Sequence, residues 1–146
     1  DANNWFELDQ DSPYMLFVSK IKKNKQKKIS DKQKDLFGID QLNLQRSDIP
    51  AVTHVDYSAR IQTVDQNTNI KYYKLIKKFA EKTNCPILVN TSFNVRGEPI
   101  VNTPIDAFNC FMGTELDKLI IGQFYLDKKN QKSELKMDYK DNFELD

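Results

Sequence analysis

The sequence predicts an α/β domain built on a mixed, twisted sheet with flanking helices. Three observations carry that reading. Ile87-Leu88-Val89 is a short apolar run directly after Pro86, the mark of a buried strand. Two segments, 70–82 and 104–112, repeat apolar residues at helical spacing. Two further apolar runs, 13–19 and 119–126, read as strands that share the centre of the sheet with 86–90.

Residues 1–12 form a polar lead-in whose aromatic pair, Trp5-Phe6, docks on the core. Ser12-Pro13-Tyr14 starts a strand, and Pro13 fits its first position, where no ladder donor is needed. Met15, Leu16, Phe17 and Val18 continue it as a buried strand to Ser19-Lys20. Residues 21–48 are rich in Lys, Gln, Asp and Asn, with Leu36-Phe37-Gly38 as a weak anchor. They read as a long, partly mobile excursion with one short helix. In 70–82, Ile70, Tyr73, Ile76, Phe79 and Ala80 form the apolar stripe and belong to the core, while Lys71, Lys74, Lys77 and Lys78 face water. Thr68 or Asn69 caps this helix, and Asn84 suits a left-handed stop. Thr103-Pro104-Ile105-Asp106 combines a cap, a proline at the first helical position and an acid in the first turn. Ile105, Phe108, Phe111 and Met112 form its buried stripe, and Gly113 ends it. Leu119 to Leu126 is the last strand, and 127–146 is a polar tail.

At 146 residues the chain has the length of a single domain. It is 39% hydrophobic and 11% aromatic, enough for a real core. A net charge of +1 gives no overall pull towards nucleic acid or a membrane. Eight lysines fall between Lys20 and Lys34, with no aromatics interleaved, so the run reads as a solvated surface rather than a nucleic-acid patch. Cys85 and Cys110 are the only cysteines, which suggests buried thiols in a reducing cytoplasm. A single histidine leaves no zinc site built within the chain. No apolar run reaches transmembrane length, and no signal peptide is visible. Beginning at Asp1 rather than Met, the chain reads as a piece of something longer.

Two polar stretches stand out. After Val89 come Asn90, Thr91, Ser92, Asn94 and Arg96, with Gly97 and Pro99 close behind. Amides, hydroxyls and a guanidinium at the carboxyl end of a strand are donors suited to phosphate or carbonyl oxygens. A polar turn satisfying its own backbone would look the same, and both readings stand. The second stretch, Ala51 to Val64, alternates. His54, Asp56, Ser58, Arg60 and Gln62 fall on one side, and Val55, Tyr57, Ala59 and Ile61 on the other. A merely solvated face in this Lys-rich chain would carry Lys and Glu, and this one carries neither. The chain has nineteen lysines but only three arginines, Arg46, Arg60 and Arg96, and two of the three sit in these stretches. Arginine is the residue for planar, bidentate recognition of carboxylate or phosphate.

These residues bear a resemblance. Ser12-Pro13-Tyr14-Met15, the run Ile49 to Asp56 continuing from Ser58 to Val64, and the block Asn90 to Val101 resemble the C-terminal domain of the NodU/CmcH-type O-carbamoyltransferases. Thr103-Pro104 with Asp106-Ala107 extends the match, which covers most of 12–128 outside the Lys-rich excursion. The resemblance implies a YrdC-like fold, in which Thr91-Ser92-Phe93-Asn94-Val95-Arg96-Gly97-Glu98-Pro99 matches an element of the nucleotide site. One position departs: Tyr57 stands where relatives usually carry Gly, so a bend needing positive φ there would be strained.

The resemblance further implies that ATP, with Mg²⁺ held by its phosphates and water, meets carbamoyl phosphate on this domain and gives carbamoyl-adenylate. A larger N-terminal actin/Hsp70-like domain, absent from this chain and carrying the metal of such enzymes, would pass the carbamoyl group to a substrate hydroxyl. On that footing Arg60 and Arg96 are phosphate or carbamoyl clamps, and Ser92 and Asn94 supply donors. Asn90 and Thr91 shape the turn, and Lys20 is a lesser phosphate contact. His54 and Asp56 position either the substrate or each other. Arg60 and the Ser92/Asn94 loop are then expected to line one concavity. The competing readings are a non-catalytic nucleotide- or RNA-binding module of the YrdC type and a degenerate domain that stabilises its partner. Near-zero net charge argues against RNA, and a salt titration of RNA binding separates these readings.

Overall fold

The computed structural model describes residues 1–135 and 143. The chain divides into two compact units, Asp1–Val89 and Asn90–Asp146. Helices and strands mix as the sequence predicts. Among the described residues, however, the strands form two separate two-stranded antiparallel sheets rather than one mixed sheet.

The first unit is organised by β1 (Phe17–Lys20) pairing with β2 (Ser58–Ile61). The register sets Phe17 against Ile61, Val18 against Arg60, Ser19 against Ala59 and Lys20 against Ser58. Ala59 and Ile61 enter a core with Trp5, Phe6, Ile21 and Ile49. Trp5-Phe6 thus docks the lead-in as expected, and Phe6 bridges to Ile21. Each of the large side chains among them, once buried, contributes roughly 1.5–3 kcal/mol. The strand expected over 13–19 is shorter and more open. Tyr14 and Leu16 are exposed, Met15 takes φ +54, and Val18 is 59% exposed. The turn through Met15 delays the ladder to Phe17. Ser12 is buried instead by donating its hydroxyl to Ile61 O at 2.7 Å.

The excursion carries two short helices, α1 (Asp31–Lys34) and α2 (Gly38–Leu42), where one was expected. Its ends are tied together by Lys27 N–H to Arg46 O and Asp48 N–H to Lys25 O, at 2.7 and 3.1 Å. Phe37 is 91% exposed and anchors nothing. The third arginine, Arg46, is buried and donates its guanidinium to the carbonyls of Gln41, Leu42 and Leu44 at the end of α2. Its planar fork closes a helix rather than binding a ligand.

Helix α3 (Ile70–Thr83) has the predicted cap and stop. Asn69 Oδ1 accepts the Tyr72 N–H at 3.2 Å, and Asn84 sits at φ +56. Its stripe is not core, because no residue of α3 is buried, and Ile70 and Phe79 are 47% and 37% exposed. Residues 86–90 belong to no strand. Pro86 lacks a ladder donor. Ile87 packs, half-buried, on the Trp5 cluster outside any ladder. The run is only partly covered: Ile87 and Leu88 are half-buried, and Val89 is 58% exposed.

In the second unit, α4 (Pro104–Met112) matches its expected span, with a reciprocal Thr103/Asp106 capping box. Those capping bonds hold the Asp106 carboxyl below its usual range. Ala107, Phe111 and Met112 pack with Leu119 to form the core, while Ile105, expected inside, is 71% exposed. The expected strand 119–126 is a hairpin of β3 (Lys118–Ile121) and β4 (Phe124–Asp127). Gly122, at φ +58, reverses the chain. Half of the 127–146 tail lies outside the described residues. Among the described residues no helix is long and apolar enough to cross a membrane.

Tyr57 does take the left-handed conformation, at φ +62. Tyr57→Gly should raise stability by roughly 0.5–1 kcal/mol in urea unfolding, the strain relieved exceeding the added chain entropy. Tyr57→Phe should change little, since the hydroxyl makes only a long, exposed contact with Lys27 O at 3.3 Å.

Candidate functional site

The register of β1 and β2 decides what the first polar stretch presents. With Ala59 and Ile61 inside, Ser58 and Arg60 must lie on the opposite face, beside Lys20 and Val18. Arg60 is exposed and its only described contact is a 3.3 Å hydrogen bond to Met15 O. No carboxylate pairs with it among the described residues. Gln62 is exposed and donates to Pro13 O at 2.8 Å.

The alternation does not extend back through His54. Tyr57 N–H donates to His54 O at 3.0 Å and His54 N–H to Ser58 O at 2.8 Å, which makes 54–57 a turn. Val55, expected inside, is 40% exposed. The turn folds His54, Asp56 and Ser58 onto one another. Asp56 Oδ1 accepts the Ser58 N–H at 3.0 Å and its hydroxyl at 2.6 Å. His54 Nδ1 lies 2.9 Å from Ser58 Oγ. Lys20 Nζ donates to Asp56 Oδ2 at 2.7 Å and to Asp56 O at 2.8 Å. The Lys20 ammonium, then the Ser58 hydroxyl and N–H, hold the Asp56 carboxyl well below the usual carboxylate range. Both partners of the ion pair are at least half exposed, so it fixes orientation more than it adds stability. Lys20 is thereby committed to Asp56.

The second stretch lies wholly in the other unit. Glu98 N–H donates to Val95 O at 3.1 Å, and Gly97, at φ +82, occupies the position of that turn which needs positive φ. Arg96 is carried at the exposed apex. Asn94 is turned to loop building: its amide donates to Val95 O and Glu98 O at 3.2 and 2.8 Å. Thr91, Ser92 and Arg96 are exposed, and their side chains make no hydrogen bond among the described residues. Asn90 is exposed at the head of the loop.

Glu98 was not singled out by sequence reasoning, yet the loop closes on it. The residue is 9% exposed, and Oε2 accepts the Val95 N–H at 2.9 Å. Burial pushes the Cys110 thiol up, and the adjoining Glu98 carboxylate adds to that through charge and a hydrogen bond. A lone acid amid amides and hydroxyls, directly before Pro99, was the available signal. Open donors on a shaped loop and an open guanidinium on a ribbon face suit oxyanions and carbonyls. Among the described residues no cluster of three or more His, Cys, Asp or Glu could hold a metal ion.

Comparison with known proteins matches residues 1–128 to the family described as carbamoyltransferase C-terminus. The chain belongs to the carbamoyltransferase C-terminal family. An uncharacterised protein of Synechocystis is 52% identical over 99% of the chain, which spans 24% of that protein. Nodulation protein NolNO of Sinorhizobium fredii is 39% identical over 92% of the chain and 17% of its own length. The 3'-hydroxymethylcephem-O-carbamoyltransferase of Amycolatopsis lactamdurans is 27% identical over 88% of the chain and 20% of its own length. This carbamoyltransferase C-terminal domain therefore spans a quarter or less of these relatives.

Glu98→Ala should leave the Val95 N–H without its acceptor and lower stability by about 1–3 kcal/mol. Hydrogen exchange at the Val95 amide should quicken in Glu98→Ala and stay near the parent rate in Glu98→Gln, which keeps a carbonyl acceptor.

Proposed function

We propose that this domain binds ATP and carbamoyl phosphate and forms a carbamoyl-adenylate, whose carbamoyl group an N-terminal transferase domain passes to a substrate hydroxyl. Membership of the family and the likeness to the cephem O-carbamoyltransferase support the transfer. The observation that carries the assignment is Arg60, an exposed guanidinium with no carboxylate partner among the described residues. Planar and always charged, it suits a phosphate or carbamoyl oxygen.

The reaction balances with water. Water takes the phosphoryl group of carbamoyl phosphate as inorganic phosphate and leaves carbamate. A carbamate oxygen then attacks the α-phosphorus of ATP, and the bond to pyrophosphate breaks. Charge develops on phosphoryl oxygens in both steps, so catalysis is positioning and electrostatic stabilisation. Arg60 and Arg96 hold oxyanions. Thr91 and Ser92 donate hydroxyls, while Asn90 and Asn94 shape the loop that presents them. Mg²⁺ would ride on the ATP phosphates. A YrdC-like twist and a cytoplasmic setting complete the proposal, the latter consistent with two free thiols.

The test is carbamoyl-phosphate-dependent exchange of labelled pyrophosphate into ATP by the protein carrying this domain. Arg60→Ala should lower exchange roughly a hundred- to a thousand-fold. Arg60→Lys should restore little if the clamp is bidentate. Lys77→Ala, on the water-facing side of α3, should match the parent. Full exchange in Arg60→Ala would overturn the assignment.

A further inference from the structure

His54 is the only histidine in the chain, and its surroundings decide which ring nitrogen carries the proton. Asp56 is ionised and can only accept. Its Oδ1 lies 2.6 Å from Ser58 Oγ, a separation two oxygens hold only with a hydrogen between them. The Ser58 hydroxyl therefore donates to Asp56, and no hydrogen remains on Oγ for the imidazole. What Oγ offers His54 Nδ1, 2.9 Å away, is a lone pair. Nδ1 must bring the N–H. In the neutral ring Nε2 is then bare, an acceptor on an exposed side chain. Three features hold this arrangement. Ser58 is 4% exposed, Lys20 pins Asp56 through two hydrogen bonds, and the strained Tyr57 closes the turn between them.

We infer that His54 reads the amino group of the carbamoyl moiety, its Nε2 accepting a carbamoyl N–H, and that Lys20, Asp56 and Ser58 are positioning residues that fix its tautomer. The inference rests on the function proposed above. A carbamoyl group differs from an acetyl group of the same shape by offering N–H donors, so a site that tells them apart needs an acceptor. Arg60 and Arg96 can only donate. Both oxygens of Asp56 are engaged by Lys20 and Ser58. On this face of the first unit, the exposed side-chain acceptor that its surroundings orient is the bare nitrogen of His54.

The single imidazole makes the test direct. Long-range proton–nitrogen correlation spectra of ¹⁵N-labelled protein at about pH 8, above the ordinary histidine titration, should show Nδ1 protonated and Nε2 bare. Asp56→Asn and Ser58→Ala should each move the ring towards the Nε2–H form. An Nε2–H ring in the parent overturns the inference, and that spectrum needs no variant to fold. Titration with carbamoyl phosphate should shift the Nε2 resonance, and acetyl phosphate should not. His54→Ala should lose the preference for carbamoyl over acetyl phosphate, roughly ten-fold or more, with acetyl phosphate binding unchanged. Retained preference in His54→Ala overturns the reading role and leaves the proposed function standing. Failure of carbamoyl phosphate to bind the parent overturns both.

Discussion

The first unit depends on one pairing across a long stretch of chain. Phe17–Lys20 meets Ser58–Ile61, and everything between must loop out and return. Closing a loop of that length costs roughly 3 kcal/mol in chain entropy. Ala59 and Ile61, buried with Trp5, Phe6, Ile21 and Ile49, offset it. They also fix the register, because a slip by one residue would put Arg60 in the core and Ile61 in water. Function follows from this packing constraint. The same two apolar residues that hold the ribbon together force Ser58 and Arg60 onto the opposite face and set Lys20 across from Ser58. The excursion is tolerated because its ends are tied by hydrogen bonds near Lys25, Lys27, Arg46 and Asp48 before the ribbon begins.

Two non-glycine residues near this face take positive φ, Met15 and Tyr57. Neither conformation is comfortable for a side chain, at about 1–3 kcal/mol each. Both persist because their surroundings over-determine them. Met15 O accepts from Arg60, and Tyr57 N–H and O are bonded to His54 and Ile21. Strain is thus concentrated at the two turns that orient Arg60 and His54. In Gly97 the second unit solves the same problem without strain, at the turn that carries Arg96.

Helices were legible because their signals are local. Caps at Asn69 and Thr103 and a left-handed stop at Asn84 act within a few residues and need no partner. Burial was less legible. The stripe of α3 predicts a helix correctly, yet periodicity cannot say how fully the stripe is covered. Strands were least legible, since pairing depends on a distant segment. Ile87-Leu88-Val89 has the composition of a central strand, yet it joins no strand and Val89 is 58% exposed. Leu119 to Leu126 reads as continuous until Gly122 is given its weight as the reversal point. The strain anticipated at Tyr57 was legible because it rests on one residue and one dihedral angle.

The candidate site was legible as a set of residue types, and the division of labour within it was not. Sequence assigns Arg60, Arg96, Ser92, Asn94 and Lys20 all to the ligand, as clamps, donors or a lesser contact, and leaves Asp56 between substrate and His54. Geometry separates them. Lys20, Asp56, Ser58, Asn94 and Glu98 turn their hydrogen-bonding capacity inward and hold a shape. Arg96, Thr91 and Ser92 keep theirs facing outward, and Arg60 gives one donor to Met15 O and keeps the rest exposed. The two groups depend on each other. Open donors bind well only if they are already in place, because ordering a loop at the moment of binding subtracts from affinity. Inward-turned polar residues beside the outward ones supply that order in advance. Glu98 shows why sequence alone missed the division. Its side chain looks wrong for an anion-binding loop until the carboxylate is seen to face inward, against Val95 N–H and the Cys110 thiol. An acid that repels the ligand's charge from the surface would weaken the site; the same acid buried behind the loop holds it open for the ligand.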